Sequence, residues 1–281
     1  MTARQDLVSR RLRRSLRSPK GLLLLLLLGL TALATPTTGT ELVIPTVVGA
    51  VLAATLLDLG LTRLRRGGWM LPDGAALSGL IVALVLSPRE PWYVPVVGGA
   101  LAVASKHLIR TPRLGRPHVF NPAAFALLAC ALLFSSTESW WGALPELPAP
   151  ALLPLLAAGY HIADRVNKLP QVLSFAATYV GLLTFAVLLT HGASPRLAEL
   201  YRTLFVNAAL FLAFFMLTDP PTSPNRTDEQ IAFGFVVGLV TYGAFLALPG
   251  LTFLLLGLLS GNVWLAWRRM QRAGQAARGA R

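Results

Sequence analysis

The sequence predicts an all-α polytopic membrane protein, and three observations support this fold class: composition, the spacing of apolar segments and the placement of charge. Of the 281 residues, 54% are hydrophobic and 13% are charged, whereas soluble proteins average about a quarter charged residues. The apolar segments extend from Gly21 to Trp267. Little sequence therefore remains for a separate soluble domain.

The sequence between Gly21 and Trp267 divides into ten hydrophobic segments, if each span takes roughly 17 to 25 residues. The first five are about 21–35, 42–62, 74–88, 92–109 and 120–135, and the second five are about 149–164, 170–190, 202–218, 230–247 and 250–267. The third and fifth are short for spanning helices. The basic start followed by leucines is also typical of a secretory signal peptide, but the long basic lead and the further spans favour a retained first helix.

Positive charge orients these segments. A ten-helix count places every basic block on one side of the membrane, and the blocks are 1–20, 63–66, 106–116, 165–168 and 268–281. The positive-inside rule then predicts that both termini lie in the cytoplasm. The membrane that we expect for this chain is the bacterial cytoplasmic (inner) membrane. The expected organisation is a basic N-terminus (1–20), one transmembrane domain (21–267) and a basic tail (268–281).

The net charge of +13 does not indicate a nucleic-acid partner. The basic residues lie in short blocks between apolar segments, so membrane lipid is their expected partner. The single cysteine, Cys130, excludes an internal disulfide, and the sequence has no Cys/His metal motif. Any iron would therefore come from a partner subunit. Motifs of soluble-style catalysis are absent from the sequence as well, so we assign no catalytic or metal-binding residue.

The ten segments divide into two sets of five, at about 21–135 and 149–267. An odd number of spans per set makes the two sets inverted repeats. Segment three ends in Leu86-Ser87-Pro88 and segment eight in Leu217-Thr218-Asp219-Pro220, on opposite sides of the membrane by the same count. Paired interruptions of this kind indicate a binding site between the two halves.

A run of small residues opens the third segment. Asp73 can cap the helix, while Gly74 and Gly79, with Ser78 between them, allow close approach of a neighbour or a ligand. Capping and helix packing are sufficient to explain this run. The alternative interpretation is a flat aromatic ligand lying against its small-residue face.

Asn121 and Pro122 open the fifth segment as an N-cap and a first helical residue. A plain helix start is one explanation. In the functional interpretation, the positive end of the helix and the nearby Lys106, Arg113 and Arg116 attract a phosphate or an electron-rich ring.

Two prolines end the eighth segment beside Thr218, Asp219 and Thr222, which supply acceptors and hydroxyl groups at the membrane surface. A turn between two helices accounts for the prolines. A ring with imide N–H groups, such as a flavin, is the ligand that these polar groups would hold.

Together these motifs resemble the NqrB/RnfD family, the ten-helix membrane subunits of sodium-pumping NADH:quinone reductase and of Rnf ferredoxin:NAD oxidoreductase. The likeness extends from about residue 40 to 267 and rests on Asp73–Leu84, Phe120–Ala123 and Met216–Pro220, in order and with matching spacing. The resemblance implies two inverted five-helix repeats similar to urea transporters, with flavins bound at the membrane surfaces.

One loop departs from the family pattern. Relatives with covalent FMN carry a Ser-Gly-Ala-Thr acceptor in the outside loop after the Phe-Asn-Pro helix, and residues 135–145 lack that motif. We therefore do not expect covalent FMN. The chain is also shorter than the respiratory subunits and looks closer to the reduced UnbU branch found in enediyne gene clusters.

The first functional hypothesis is an electron-transport subunit that binds FMN, riboflavin or a quinone non-covalently and works with redox partner subunits. A lone flavin needs such partners, because it cannot carry electrons across about 30 Å of hydrocarbon. The second hypothesis is a transporter or channel for a small neutral or flavin-like solute. A purely structural membrane subunit is the third.

Overall fold

The computed structural model describes residues 18–66, 72–111, 118–148, 150, 152–189, 203–248 and 250–279. This part of the chain forms ten α-helices and one short 3₁₀ turn, Trp141–Ala143. The helices are α1 Pro19–Thr38, α2 Thr40–Arg66, α3 Asp73–Val85, α4 Tyr93–Leu108, α5 Pro122–Phe134, α6 Leu152–Arg165, α7 Leu169–Leu189, α8 Thr203–Phe211, α9 Thr227–Ala247 and α10 Thr252–Gly279. A π-helical segment, Leu212–Met216, continues α8.

The predicted fold class is confirmed, because each of the ten apolar segments is a helix. Four of the described helices, α1, α2, α7 and α9, are long and apolar enough to cross a membrane, and α3, α5 and α8 with its π segment are shorter apolar helices. The chain is an integral membrane protein.

Helices α1 and α10 extend beyond their predicted C-terminal ends. Helix α1 continues through Pro36 to Thr38, where the Thr35 and Thr37 hydroxyls donate to backbone carbonyls of the preceding turn. Such hydroxyls let apolar helices tolerate proline. Helix α10 continues through the basic tail to Gly279, because the arginine, glutamine and alanine of that stretch are good helix formers.

The helix pairings repeat in the two halves of the chain. In the first half α2 packs against α4 and α4 against α5, and in the second α7 packs against α9 and α9 against α10. The halves meet where α1 contacts α6 and where α5 contacts α10. Equivalent helices therefore join the halves, as expected for two five-helix repeats.

Each half contains a helix that stops short of a full span, and its exposed backbone groups are bonded by the protein. After α3, Val85 O accepts from the Ser139 and Trp140 amides at 3.0 Å each, and Ser87 N donates to Thr137 O. After the π segment, Met216 O accepts from Asn121 Nδ2 at 3.0 Å. These two breaks lie at opposite ends of α5, whose 13 residues span about 20 Å. The repeats are therefore inverted.

Positive charge gathers at one end of the bundle. Among the described basic residues, Arg89 alone lies at the end where α3 stops, and the rest belong to the end where α5 begins. Arg269 there donates to Pro221 O and Ser223 O, and Arg272 pairs with Glu229. Such one-sided charge is the pattern from which the positive-inside rule assigns a cytoplasmic face.

Glycines let the central helices of each half approach closely. A Cβ on Gly99 of α4 would lie 2.1 Å from Ala50 O of α2, and one on Gly234 of α9 would lie 2.3 Å from Gln171 O of α7. Small residues at such contacts are typical of packing in a bilayer, where close van der Waals contact contributes much of the association energy.

We expect Gly234→Ala to destabilise the protein by about 1 to 3 kcal/mol, because the added methyl group forces α7 and α9 apart. Gly243→Ala on the same helix is the matched control, since no atom lies within 4 Å of its Cβ position. It should unfold at the wild-type temperature or slightly above it. Thermal unfolding in detergent measures both, and equal midpoints for the two variants would contradict the packing assignment.

The predicted orientation is tested by labelling intact cells with a membrane-impermeant thiol reagent. Arg89→Cys and Arg226→Cys introduce thiols at opposite ends of the bundle, both at exposed positions, while the native Cys130 is buried. Arg89→Cys should react from outside and Arg226→Cys only after the cells are opened. The reverse pattern would place the basic end outside.

Candidate functional site

A cavity of about 500 Å³ opens at the basic end of the bundle. It lies where α1, α3 and α5 begin and where α2, α4 and α8 end. Leu23, Leu77, Ile81, Ile162 and Phe215 form apolar wall, and polar side chains from the helix ends surround it. Its volume lies within the range of small-molecule sites, about 300 to 1,000 Å³.

The structure brings together seven of the nine residues that the sequence predicted for a cofactor site. These lining residues are Asp73, Gly74, Ser78, Asn121, Pro122, Thr218 and Asp219. Gly79 and Thr222 do not line the cavity. Gly79 packs on α2, where its Cβ would lie 2.7 Å from Ala50 O, and Thr222 lies buried behind Asp219. The three sequence motifs therefore meet in one place, with two members in supporting positions.

Asn121 joins the start of α5 to the end of the π segment. Its Oδ1 accepts from Ala124 N at 3.0 Å, which is the predicted N-cap bond, and its Nδ2 donates to Met216 O. Both ends of the buried amide are therefore bonded to protein. The geometry assigns Asn121 a role in shaping the cavity, because its side chain connects two helix termini.

Asn262 of α10 completes this link and was not predicted from the sequence. Its Oδ1 accepts from Asn121 N at 2.8 Å, and its Nδ2 donates to Thr222 O at 3.0 Å. The side chain is 1% exposed. An asparagine inside an otherwise apolar segment is the signal that could have identified it, because intramembrane polar side chains require partners.

Asp219 and His118 form the polar end of the cavity. Thr222 Oγ1 donates to Asp219 Oδ2 at 2.8 Å, and His118 Nε2 lies 3.9 Å from the same oxygen. His118 is 7% exposed, and its Nε2 has no hydrogen-bond partner among the described residues. Asp219 Oδ1 likewise accepts no hydrogen bond from the described part of the chain. A buried nitrogen and a carboxylate oxygen are thus available side by side.

The sequence alone did not single out His118, because it lies in the loop before α5 and belongs to no motif. The sequence feature that could have identified His118 is its position, two residues before the helix start at Phe120-Asn121-Pro122. The fold turns that position into a buried wall of the cavity.

Basic side chains surround the mouth of the cavity. Lys106 Nζ lies 3.3 Å from the Cβ position of Gly74, and Lys20 Nζ lies 3.8 Å from Asp73 Oδ1. Arg65 and Arg110 also line the mouth. The predicted Arg113 and Arg116 fall outside the described residues.

His107 holds two of these arginines in place. Its Nε2 lies 2.9 Å from Asp58 Oδ1, and its Nδ1 lies 3.3 Å from Arg65 Nη1 and 3.2 Å from Arg110 Nη2. The fold brings Asp58 to His107, 49 residues further along the chain.

The opposite end of the bundle contains the loop 135–145, which lacks a Ser-Gly-Ala-Thr motif. Thr137 Oγ1 donates to Glu90 Oε1 at 3.0 Å, and Thr252 Oγ1 donates to Glu138 Oε2 at 3.0 Å. Burial raises the pKa of the Glu138 carboxyl above its usual range, against the lowering effect of the Thr252 hydrogen bond. In the described residues, no group of three or more histidine, cysteine or acidic side chains could hold a metal ion.

The amino-acid sequence also matches a known protein family. The sequence profile described as the NQR2, RnfD, RnfE family matches residues 10–147 and 148–246. The two matched ranges meet between α5 and α6, at the boundary of the two repeats.

Three relatives bear the name of one and the same subunit of an ion-translocating oxidoreductase complex. The Rhodobacter capsulatus protein is 41% identical over 235 residues, which cover 60% of this chain and 64% of that protein. The Halorhodospira halophila protein is 27% identical over 252 residues, covering 62% of this chain and 68% of the relative. The Shewanella amazonensis protein is 22% identical over 269 residues, covering 73% and 76%.

We expect Asn262→Leu to destabilise the protein by about 2 to 6 kcal/mol, because it leaves Asn121 N–H and Thr222 C=O buried without partners at about 1 to 3 kcal/mol each. Val263→Leu, at the next position of α10 and 52% exposed, should be neutral. Thermal unfolding of the purified variants checks this, and an unchanged midpoint for Asn262→Leu would show that the link carries no stability.

Proposed function

The chain belongs to the NQR2, RnfD, RnfE family, and on that premise we propose that it is an electron-transport subunit that binds a flavin non-covalently in the cavity. The proposal includes FMN and riboflavin. One observation carries it: His118 Nε2, which has no hydrogen-bond partner in the described part of the chain, lies 3.9 Å from the Asp219 carboxylate at the end of an apolar cavity.

This pair fits the pyrimidine edge of a flavin. That edge alternates carbonyl acceptors with an imide N–H donor, so it requires both a donor and an acceptor from the protein. Asp219 supplies the acceptor. The neutral tautomer of His118 with its N–H at Nε2 supplies the donor. Thr222 fixes the carboxylate through a 2.8 Å hydrogen bond, which lowers the entropy cost of binding.

The same pair favours a flavin over a quinone. A quinone ring presents carbonyl acceptors and no N–H donor, so Asp219 Oδ1 would face it without a hydrogen bond. An apolar ring that displaces water from this partly exposed carboxylate oxygen without donating to it is costly. The apolar wall, which includes Leu77 and Phe215, suits either ring. The preference for a flavin over a quinone therefore comes from the polar end of the cavity.

The protein's role in this proposal is to bind, orient and shield. A bound flavin supplies the electron uptake and release, and the protein sets its position and the charges around it. Ile81, Ile162 and Phe215 exclude water from the ring, while Asp219 and Lys106 contribute charges of opposite sign to the cavity lining. No covalent attachment is required for this arrangement.

Partner subunits complete the proposed path. The cavity opens at one end of the bundle, and the hydrocarbon layer is about 30 Å thick, so one flavin at this position does not bridge the membrane. The relatives are named as subunits of a complex. We propose that other subunits deliver and remove electrons, with the basic end of this chain in the cytoplasm of a bacterial cell.

The binding test uses purified protein in nanodiscs of phosphatidylcholine, titrated with riboflavin and followed by flavin fluorescence. Asp219→Asn keeps the side-chain size and removes the charge that accepts the hydrogen bond, so affinity should fall about tenfold, which is about 1.4 kcal/mol. Asp228→Asn is the matched control, because Asp228 is exposed on α9 and pairs with Arg226. It should bind as the wild type does.

The competing hypothesis, that the protein transports a solute, predicts a different result. If the wild-type protein binds no flavin but accelerates riboflavin or small-solute flux into vesicles, the cavity belongs to a transport pathway. Equal flavin affinities for Asp219→Asn and wild type would also contradict the proposed site.

A further inference from the structure

The loop after α5 concentrates buried polar atoms that lack a hydrogen-bond partner. Among the described residues, ten side-chain nitrogen or oxygen atoms are buried without such a partner, and four of them belong to residues 136–140. These four are Ser136 Oγ, Glu138 Oε1, Ser139 Oγ and Trp140 Nε1. Ser136 is 7% exposed and Trp140 is completely buried. Buried polar groups are normally paired, so this concentration in one loop indicates a site.

The backbone fixes the direction of the Glu138 side chain. Glu138 pairs with Leu86 in an isolated antiparallel bridge, beside which Ser139 N donates to Val85 O at 3.0 Å. Side chains two residues apart in such an extended segment point to the same side. Ser136 and Glu138 therefore share one side of the loop, and each has a buried oxygen without a partner there.

The two oxygens of the Glu138 carboxyl have different surroundings. Thr252 Oγ1, at the start of α10, donates to Oε2 at 3.0 Å, whereas Oε1 is buried without a donor. An ionised carboxylate would leave a charged oxygen in this position, which costs free energy. A protonated carboxyl avoids that cost, because its O–H is a donor and the Ser136 hydroxyl on the same side is an acceptor.

The charges around Glu138 favour the same protonated form. Burial has the largest effect and raises the pKa of the Glu138 carboxyl, hydrogen bonds from Thr252 and from the backbone oppose it, and the negative charge of Glu90 raises it further. Cys130 of α5 interacts with both carboxyls, and a thiol is uncharged at neutral pH. Arg89, the basic residue of this end, is exposed. No basic side chain in the described part of the chain lies within 4.0 Å of Glu138.

The carboxyl is close to the solution even though its Oε1 is buried. Ser135 and Thr137 are exposed on either side of Ser136, and Glu138 itself is partly exposed. A proton can therefore pass between the carboxyl and the solution without a path through the apolar core. That solution lies at the end of the bundle opposite the basic residues.

We propose that Glu138 is a proton-binding site at the end of the bundle opposite the cavity, and that it exchanges its proton with the solution on that side. Release breaks the Oε1–H bond and passes the proton to a solvent water, with no oxidation or reduction. The inference does not depend on the flavin proposal, because it concerns other residues at the other end. A small metal cation is the competing ligand, but Trp140 contributes an N–H donor, which a cation cannot use.

The experiment is an infrared titration of the purified protein in nanodiscs of phosphatidylcholine, from about pH 4 to about pH 9. It follows the C=O stretching band of protonated carboxyl groups. The wild type should keep one such band at pH values where exposed carboxyls are already ionised, and Glu138→Gln should remove it. Glu146→Gln is the matched control, because it removes an exposed carboxyl eight residues further along the chain. It should leave the band unchanged.

Two further variants separate a proton site from a carboxyl with a purely structural role. Glu90→Gln removes the neighbouring negative charge, so the band should disappear at a lower pH than in the wild type. Thr252→Val removes the hydroxyl group that favours the ionised form, so the band should persist to a higher pH. Shifts of the opposite sign, or no shift in either variant, would contradict the proposed surroundings of the proton.

The same site predicts a pH-dependent stability. The fold raises the pKa of Glu138 above the unfolded value, so the stability that the protonated carboxyl contributes is present at low pH and lost as the pH rises through the folded pKa. Glu138→Gln carries no group that loses this proton. Its thermal midpoint should equal that of the wild type in acid and exceed it in alkali, which also shows that the variant is folded.

The remaining outcomes decide between a proton and a metal ion. If no protonated-carboxyl band outlasts those of exposed groups, or if the band survives in Glu138→Gln, the proposal is wrong. The titration is repeated in sodium chloride and in potassium chloride at equal ionic strength. Equal midpoints in the two salts support a proton site, whereas a midpoint that differs between them assigns the Glu138 oxygen to a metal ion and overturns it.

Discussion

The structure depends on satisfying backbone groups where two helices stop inside the apolar layer. Hydrocarbon offers no hydrogen bonds, so every freed N–H and C=O group must find a partner within the protein. After α3 these partners are backbone amides of the loop that follows α5. After the π segment they are side-chain amides, with Asn121 on Met216 O and Gln171 on Leu217 O. These side-chain bonds connect α5 and α7 to the end of the helix formed by α8 and its π segment.

That difference between the two breaks explains why the cavity lies at one end. Backbone pairing after α3 fills the space with the chain itself, and Trp140 is completely buried there. Side-chain amides reach further than backbone amides, so the helix ends around Asn121 remain apart and enclose a volume. Asn262 then fixes Thr222, and Thr222 fixes Asp219. The same bonds that satisfy the backbone therefore orient the polar end of the site.

Much of the fold and part of the site could be predicted from local sequence. The apolar segments define ten helices because a spanning helix requires a continuous run of apolar residues. The small and proline-rich motifs at Asp73, Asn121 and Asp219 identified three walls of the cavity, because each combines a helix terminus with a polar side chain. His118, Lys20 and Asn262 were not found, since their importance arises from neighbours that are distant in sequence.

By itself, the sequence determined the number of helices, their inverted halves and the end of the bundle that collects positive charge, because hydrophobicity and charge act on each segment independently. The tertiary structure alone decided that Asn121 and His118 line the same cavity, that Gly79 contacts α2, and that Lys106 Nζ lies beside Gly74. Those assignments depend on which side chains meet between packed helices. Hydrogen-bond partners and distances are properties of pairs, and no single segment carries them.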